Sequence, residues 1–266
     1  MRQIYPVQGP DLQVEPKAAP GPLPAAVQEL ARLYASDAGP SWLQANMVAS
    51  VDGAASLDGR SGGLSGPGDR MVFTVLRSLA DLVLVGAGTA RTERYRPAQA
   101  AGLWQQLRPA DAPEPAIAVV TAGLTIDPDA PLLTGAAPGA RTIVVTTQDA
   151  PRDRKAAVAR HARVIEAGHH QVDVTAAVTE LRGLGYARIL CEGGPTLLGQ
   201  LAAARLIDEL CLTTSPLLAD GHAGRILTPS PTGTPAVPVT AFPARLSLAH
   251  LLADDNFLLS RYLTEN

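Results

Sequence analysis

Short apolar runs alternate with segments of helical length along most of this 266-residue chain, and this alternation restricts the folds open to it. The runs at residues 82–85 and 117–121 are aliphatic and have the length of strands buried on both faces. Residues 69–79, just before the first of these runs, have the length of a helix. Such alternation favours an α/β fold with a mostly parallel central sheet and helices on both faces.

The same pattern gives approximate bounds for each element. Predicted strands cover residues 44–51, 82–85, 117–121, 142–146, 188–191 and 210–215. Predicted helices cover residues 27–34, 69–79, 152–161, 173–184 and 196–204. Near the C-terminus, residues 245–252 and 257–263 flank Asp254-Asp255-Asn256 with no room for a helix, which predicts an antiparallel hairpin.

The first forty residues differ from the rest of the chain. Prolines stand at positions 6, 10, 16, 20, 22 and 24, and we expect them to break any regular element before residue 27. We therefore divide the chain into a Pro-rich N-terminal leader with one short helix, residues 1–40, and a single α/β domain, residues 41–266.

Composition excludes several classes of function. With a net charge of −3 and 46% hydrophobic residues, we expect a globular protein that does not bind nucleic acid. No apolar run approaches the roughly 18 residues of a membrane span, and the N-terminus lacks a signal-peptide pattern, so we expect a cytoplasmic protein without a membrane partner. Cys191 and Cys211 lie in apolar runs, which predicts buried free thiols and no metal site.

Residues 188–198 predict a strand that enters a pair of glycines and then a helix. The glycines allow a ligand to approach the backbone, and Pro195 suits an early helical position. The N–H groups near Thr196 and Leu197 would then face an anion such as a phosphate. Taken alone, the segment is explained equally well by an ordinary strand-to-helix turn.

Residues 82–91 repeat the order of strand, glycine turn and helix. Gly86 and Gly88 resemble the start of a dinucleotide fingerprint, but Arg91 stands where the third glycine is required, which disfavours a Rossmann domain. Because parallel strands end at one edge of a sheet, we expect both glycine turns to face one crevice. Thr89 would there offer its hydroxyl to the phosphate, the alternative being a helix N-cap.

A third segment, residues 46–60, leads a strand into a loop that contains two Asp-Gly turn signals. Asn46 and Asp52 are candidates for hydrogen bonds to a polar heterocycle in the crevice. A hairpin with two polar turns, in which Asp52 only caps a turn, explains the same residues.

Taken in order, these segments resemble the bacterial and archaeal pyrimidine reductases of riboflavin biosynthesis. The motifs are N-x-x-x-S-x-D-G at 46–53, L-R-x-x-A-D at 76–81, V-G-x-G-T at 85–89, E-G-G-P-T-L at 192–197 and I-D-E-L at 207–210. The resemblance covers residues 42 to about 227 and continues more weakly to the C-terminus. It implies a dihydrofolate-reductase-like fold and an NADPH-dependent oxidoreductase. The implied reaction reduces the ribosyl group of 5-amino-6-(5-phosphoribosylamino)uracil, a small heterocyclic substrate, to a ribityl chain.

The resemblance also implies roles for individual residues. Asp52 and Glu192 are the implied catalytic residues, because hydride addition to an imine-like carbon needs a group that stabilises or protonates the nitrogen. The implied substrate contacts are Asn46, Arg77 and Glu192, and the contact implied for Arg77 is with the substrate phosphate. The implied cofactor contacts are Val48, Gly86, Thr89, Glu93, Thr121, Gly193, Gly194, Pro195, Thr196, Leu197 and Leu198.

Two departures from the family pattern bear on the substrate. The H-x-E and P-C-x-x-C signatures of the deaminase fused to many bacterial members do not occur, so we expect no deamination. Ala100 stands nearest to the position of an arginine that holds the substrate phosphate in those members, and Arg94 or Arg96 would have to substitute for it.

Three functions therefore stay open. They are the pyrimidine reductase, a reductase of dihydrofolate or another heterocycle with the same cofactor, and a non-catalytic nucleotide-binding protein. The polar residues at the predicted crevice argue against the last. The resemblance also implies a homodimer. Arg91, Thr121 and the region of Arg152 are the candidates for recognising the 2′-phosphate of NADPH.

Overall fold

The computed structural model describes residues 1–5, 25–35, 41–98, 106–108, 112–229 and 242–265. The strands are β1 (Arg2–Tyr5), β2 (Trp42–Ser50), β3 (Leu82–Gly86), β4 (Ala116–Val120), β5 (Ile143–Thr146), β6 (Arg163–Glu166), β7 (Arg188–Cys191), β8 (Glu209–Ser215), β9 (Leu246–Asp254) and β10 (Phe257–Thr264). The helices are α1 (Ala25–Tyr34), α2 (Pro67–Leu79), α3 (Ala87–Thr92), α4 (Pro131–Thr134), α5 (Arg152–Ala159), α6 (Val174–Gly183) and α7 (Pro195–Ala203). Short 3-10 helical turns occur at Gly62–Leu64 and Pro138–Ala140.

These strands form one sheet in the order β1-β9-β10-β8-β2-β7-β3-β4-β5-β6. All neighbours from β8 to β6 are parallel. At the other edge, β10 pairs antiparallel with β8 and β9, and β9 pairs antiparallel with β1. The predicted fold class, a mostly parallel sheet that ends in an antiparallel C-terminal hairpin, is therefore confirmed.

Side chains of the central strands point alternately into two cores, one on each face of the sheet. In β3, Val83 and Val85 pack in the core that includes residues of α1 and α2. Leu82 and Leu84 pack in the core that includes residues of α6 and α7. Because successive side chains of a strand face opposite sides, a strand covered on both faces needs a continuous apolar run. This is why the run at residues 82–85 was a reliable strand signal.

Two strands escaped prediction. The expectation that prolines leave no regular element before residue 27 is wrong for residues 2–5, where β1 pairs with β9 at the edge of the sheet. The prolines themselves, at residues 6–24, lie outside the described residues. The strand β6 at the other edge begins and ends with exposed charged residues, so it lacks the apolar run of a central strand. The division of the chain at residue 40 stays a prediction.

Beneath α1 lies a buried ion pair. Arg261 donates from Nη2 to Oε2 of Glu209 at 2.8 Å, and from Nη1 to the carbonyl of Leu33 near the end of α1, also at 2.8 Å. The other carboxylate oxygen of Glu209 accepts hydrogen bonds from Gln44 and from the Cys211 thiol. This network joins the helix to β2, β8 and β10.

Candidate functional site

A cavity of about 880 Å³ opens beside β2 and at the carboxyl ends of β3 and β7. Its walls come from β2 and the loop after it, from α2, from α3 and the residues that follow, and from the turn between β7 and α7. Most of the predicted site residues line it, namely Asn46, Val48, Arg77, Gly86, Thr89, Glu93, Glu192, Gly194, Pro195, Thr196 and Leu197. The crevice expected at the ends of the parallel strands is therefore present.

The two glycine turns are in direct contact. Gly86 donates from its N–H to the carbonyl of Gly193 at 2.8 Å. Gly193 has a φ of +86°, where a side chain would be strained, and its peptide bond to Gly194 is cis. A β-carbon at Gly194 would lie 2.5 Å from Oγ1 of Thr89. The glycines thus allow the start of α3 and the start of α7 to meet at one place.

The helix α7 begins without a side-chain cap. Gly194 occupies the N-cap, and Pro195 lies in the first turn, the early helical position that the sequence predicted for it. The first-turn N–H groups of a helix lack intrahelical partners and carry partial positive charge. Because Gly194, Thr196 and the Thr89 hydroxyl all line the cavity, this helix start suits an anionic group such as a pyrophosphate. Thr89 is not an N-cap, since α3 begins at Ala87 with Gly86 as its cap.

Glu192 lies in the cavity wall, directly before the glycine pair, with a side chain that is only 2% exposed. Arg77 donates from Nε and Nη2 to the two oxygens of this carboxylate, each at 2.5 Å. The hydroxyl of Tyr95 donates to Oε2 at 2.5 Å. The guanidinium of Arg77 also lies over two rings, 4.3 Å from the centre of Phe73 and 5.3 Å from that of Tyr95. These contacts hold the carboxylate from several directions.

The ionisation of this cluster follows from its burial and its charges. Burial is the largest single influence on the pKa of Arg77 and acts to lower it, but the charge and hydrogen bonds of Glu192, together with the interactions with Tyr95, outweigh burial and hold that pKa above its ordinary value. Burial, and then the charge of Glu192, raise the pKa of the Tyr95 hydroxyl well above its ordinary value. At neutral pH Arg77 is therefore a cation and Tyr95 a neutral hydrogen-bond donor.

Asp52 does not line the cavity, although Asn46 and Val48 of the same segment do. Its exposed carboxylate accepts from the Ser50 hydroxyl at 2.5 Å and from the N–H groups of Ala219 and Asp220 at 3.1 and 3.0 Å. These hydrogen bonds, that of Ser50 first, lower the pKa of Asp52 to about 2. The geometry favours the turn-cap alternative over a role in proton transfer.

Glu93 joins two walls of the cavity. Its Oε1 accepts from the N–H and the hydroxyl of Ser61, at 2.8 and 3.0 Å. Ser61 belongs to the loop after β2, whereas Glu93 directly follows α3. The carboxylate therefore fixes the loop against the helix that carries Thr89.

A sequence profile of the family described as the RibD C-terminal domain matches residues 41–258. The chain belongs to this family. Two curated relatives are archaeal proteins named 2,5-diamino-6-ribosylamino-4(3H)-pyrimidinone 5′-phosphate reductase. That of Methanothermobacter thermautotrophicus is 27% identical over 68% of this chain and 81% of the relative. That of Archaeoglobus fulgidus is 28% identical over 66% and 81%, respectively.

A solved structure also shares the fold of this RibD C-terminal domain. The pyrimidine reductase-like protein of Corynebacterium diphtheriae superposes with a TM-score of 0.73 over 85% of this chain and 92% of that one. The two sequences are 24% identical in the comparison, so the likeness speaks for the fold alone.

The remaining predicted positions do not line the cavity. Gly193 is buried, and Leu198 packs in the core beneath α7. Thr121 is buried at the end of β4, where its hydroxyl accepts from the N–H of Thr125 at 3.1 Å. Arg91 donates to the carbonyl and hydroxyl of the same Thr125, at 2.7 and 3.0 Å. The exposed Arg152 begins α5, and residue 100 lies outside the described part of the chain.

The structure adds cavity residues that the sequence did not single out. Tyr95 and Phe73 hold the pair of Arg77 and Glu192, and Asp69 and Arg70 line the wall near the start of α2. Phe73 stands four residues before Arg77, so helical periodicity alone would have placed both on one face of α2. Tyr95 offers no such signal, because it follows the end of α3 in irregular backbone.

Three further expectations concern the whole set of described residues. Cys191 and Cys211 are both buried and free, as predicted. Within the described ranges, no cluster of three or more His, Cys, Asp or Glu side chains could hold a metal ion. No helix found there is both long and apolar enough to cross a membrane.

Proposed function

We propose that this protein is an NADPH-dependent pyrimidine reductase of riboflavin biosynthesis. It would reduce the ribosyl group of a phosphoribosylamino-pyrimidine to a ribityl chain. Membership of the RibD C-terminal domain family and the names of the curated relatives support this assignment. The protein is an oxidoreductase. For this reaction its site would have to bind a nicotinamide cofactor and a phosphorylated pyrimidine next to each other.

One observation carries the proposal. A single cavity contains both an uncapped helix start beside the Thr89 hydroxyl and, on another wall, the buried pair of Arg77 and Glu192. Hydride transfer requires that cofactor and substrate meet within one site that excludes water. The first feature suits the pyrophosphate of a dinucleotide, and the second suits a polar heterocycle. A non-catalytic nucleotide-binding protein would need only the first.

The residues around α7 fit the cofactor. Gly194 leaves room for a pyrophosphate near Thr89, where any β-carbon would intrude. The N–H groups of Thr196 and Leu197 would bind its oxygens. When bound, NADPH would supply the hydride. Val48 and Gly86 line the same cavity and would form part of the cofactor wall.

On the substrate side, the Glu192 carboxylate is held by two hydrogen bonds from Arg77 and would accept a further hydrogen bond from an N–H of the substrate. A carboxylate there would also favour the positively charged iminium form of that nitrogen, which is the form that accepts a hydride at its carbon and becomes a neutral amine. Because Arg77 is already paired through two hydrogen bonds, we assign the substrate phosphate to Arg94 and Arg96, whose exposed side chains line the cavity. Asn46 would provide a further polar contact.

The test is NADPH oxidation by the purified protein. Two pyrimidines are offered in parallel, 2,5-diamino-6-ribosylamino-4(3H)-pyrimidinone 5′-phosphate and 5-amino-6-(5-phosphoribosylamino)uracil. Dihydrofolate serves as the competing substrate and NADH as the competing cofactor. We expect turnover of at least one pyrimidine with NADPH and slower turnover with NADH. Turnover of dihydrofolate alone, or of no substrate, would contradict the proposal.

The homodimer and the cytoplasmic location expected from the sequence stay predictions. Light scattering coupled to gel filtration measures the first directly. A mass of one chain at micromolar concentration would exclude a stable dimer.

A further inference from the structure

Tyr95 reaches the cavity because the chain reverses directly after α3. Arg94 adopts a left-handed conformation, with a φ of +53°, and the N–H of Tyr95 then returns to the carbonyl of Ala90 at 2.9 Å. This path brings the Tyr95 hydroxyl to Oε2 of Glu192. The ring lies at the same time beside the guanidinium of Arg77.

The hydrogen bonds of the Glu192 carboxylate can be counted atom by atom. An ionised carboxylate accepts at about four lone-pair sites, two on each oxygen. Arg77 occupies one site on Oε1 and one on Oε2, and Tyr95 occupies the second site on Oε2. No other group in the described part of the chain donates to Oε1, and Glu192 lines the cavity, so one site on Oε1 is left for a ligand there. Without the tyrosine hydroxyl, Oε2 would offer a second and competing site.

We propose that Tyr95 is a positioning residue that restricts Glu192 to a single acceptor site, and so orients one N–H group of the pyrimidine for hydride transfer. The proposal rests on the proposed function. Tyr95 acts through Glu192 in this account, and the ring of Phe73 also packs against the Arg77 guanidinium, 4.3 Å from its centre. Because its raised pKa keeps the Tyr95 hydroxyl protonated, it remains a donor over the whole neutral range.

The test is a double-mutant cycle with Tyr95→Phe, Glu192→Gln and the two combined, assayed with 2,5-diamino-6-ribosylamino-4(3H)-pyrimidinone 5′-phosphate. Loss of a hydrogen bond to a charged group corresponds to a tenfold or larger effect. We expect Tyr95→Phe to lower kcat/KM for the pyrimidine about tenfold and to leave the KM for NADPH within about twofold. In the Glu192→Gln background, the same change should cost less than about twofold.

Tyr186→Phe is the matched control, because it removes the hydroxyl of a half-buried tyrosine that does not line the cavity. It should leave both kinetic parameters unchanged. Where turnover of the Glu192→Gln proteins is too slow to measure, the dissociation constant of the pyrimidine, determined by calorimetry, completes the cycle. Equal losses from Tyr95→Phe in both backgrounds, or no loss in either, would overturn the positioning role. Absence of pyrimidine turnover and binding in the wild type would instead overturn the proposed function, and this inference with it.

Discussion

At Gly194 the absence of a single β-carbon keeps the start of α7 open. A β-carbon there would lie 2.5 Å from the Thr89 hydroxyl, whereas the backbone itself has a φ of −70° that any residue adopts. The backbone conformation at this position therefore suits any residue, but a β-carbon would push against the Thr89 hydroxyl at the cavity wall.

Gly194→Asp should abolish measurable NADPH binding and leave the fold intact. Its carboxylate would stand at the helix start proposed for the pyrophosphate, and repulsion between like charges is strong where water is excluded. We expect the Kd for NADPH, measured by calorimetry, to rise at least a hundredfold. Gly139→Asp is the matched control, since a β-carbon there has no atom within 4 Å and the residue lies outside the cavity. Unchanged affinity of the Gly194 variant would remove this helix from the cofactor site.

The sequence suggested a catalytic role for Asp52, whereas in the structure its carboxylate holds a loop in place. Its carboxylate already accepts from Ala219, Asp220 and Ser50, and with a pKa of about 2 it is ionised throughout the working range. We expect Asp52→Asn to keep kcat within about twofold and to increase proteolytic cleavage near residue 219, since an amide oxygen replaces only one of two acceptors. A tenfold loss of kcat with normal NADPH affinity would restore the proton-transfer role.

At the scale of elements, the packing of β9 against α1 makes stability depend on pH. The ring of His250 in β9 meets that of Tyr34 in α1 edge-on, with ring centres 4.8 Å apart. Its buried Nε2 has no hydrogen-bond partner within the described residues. Burial, and then the charge of Arg261, lower the pKa of His250 to about 4. The folded protein therefore holds this imidazole neutral below the pH at which the unfolded chain protonates it.

This difference predicts a loss of stability on acidification. Between about pH 6.5 and pH 4 the unfolded chain binds a proton at His250 that the folded protein does not, so the free energy of unfolding falls as pH falls through this range. The contribution is about 3 kcal/mol at its limit. His250→Phe keeps an aromatic ring against Tyr34. It should remove this part of the pH dependence of the free energy of unfolding, measured by urea denaturation at a series of pH values. The exposed His222→Gln should leave the pH dependence unchanged, and an unchanged pH dependence in His250→Phe would contradict the account.

The helices, strands and turns that the sequence predicted correctly are those that a short stretch of residues identifies by itself. The central strands are continuous apolar runs because both faces are covered, and the glycine turns follow directly from residues 86–88 and 193–194. The edge strands β1 and β6 are half exposed and carry no such run. The pairing of Arg77 with Glu192 joins residues 115 positions apart, and only the register of β3 beside β7 brings α2 near that carboxylate. Sequence reasoning therefore found both residues but expected Arg77 to contact a phosphate.

At the scale of the whole molecule, the net charge of the chain opposes the binding of the proposed ligands. The chain carries a net charge of −3, whereas NADPH and a pyrimidine phosphate are both anions. At physiological ionic strength, exposed charges act over about 8 Å, so distant acidic residues contribute little to binding. The attraction of an anionic ligand to the cavity then depends on the guanidinium groups that line it. Arg94 and Arg96 lie there with exposed side chains, whereas Arg70 donates to the carbonyl of Ser65 at 3.0 Å and Arg77 is held by Glu192.

Replacing Arg94 and Arg96 should therefore weaken the preference of the enzyme for the phosphorylated pyrimidine. We expect Arg94→Gln combined with Arg96→Gln to raise the KM of the phosphorylated pyrimidine at least tenfold, because two charge-assisted hydrogen bonds are lost. The KM of the same compound without its phosphate should not change, and the wild-type advantage should shrink as salt is added. Arg205→Gln is the matched control, since Arg205 is also exposed and left-handed, with a φ of +52°, but does not line the cavity. Equal effects on both compounds would mean that the arginines shape the cavity and do not bind the phosphate.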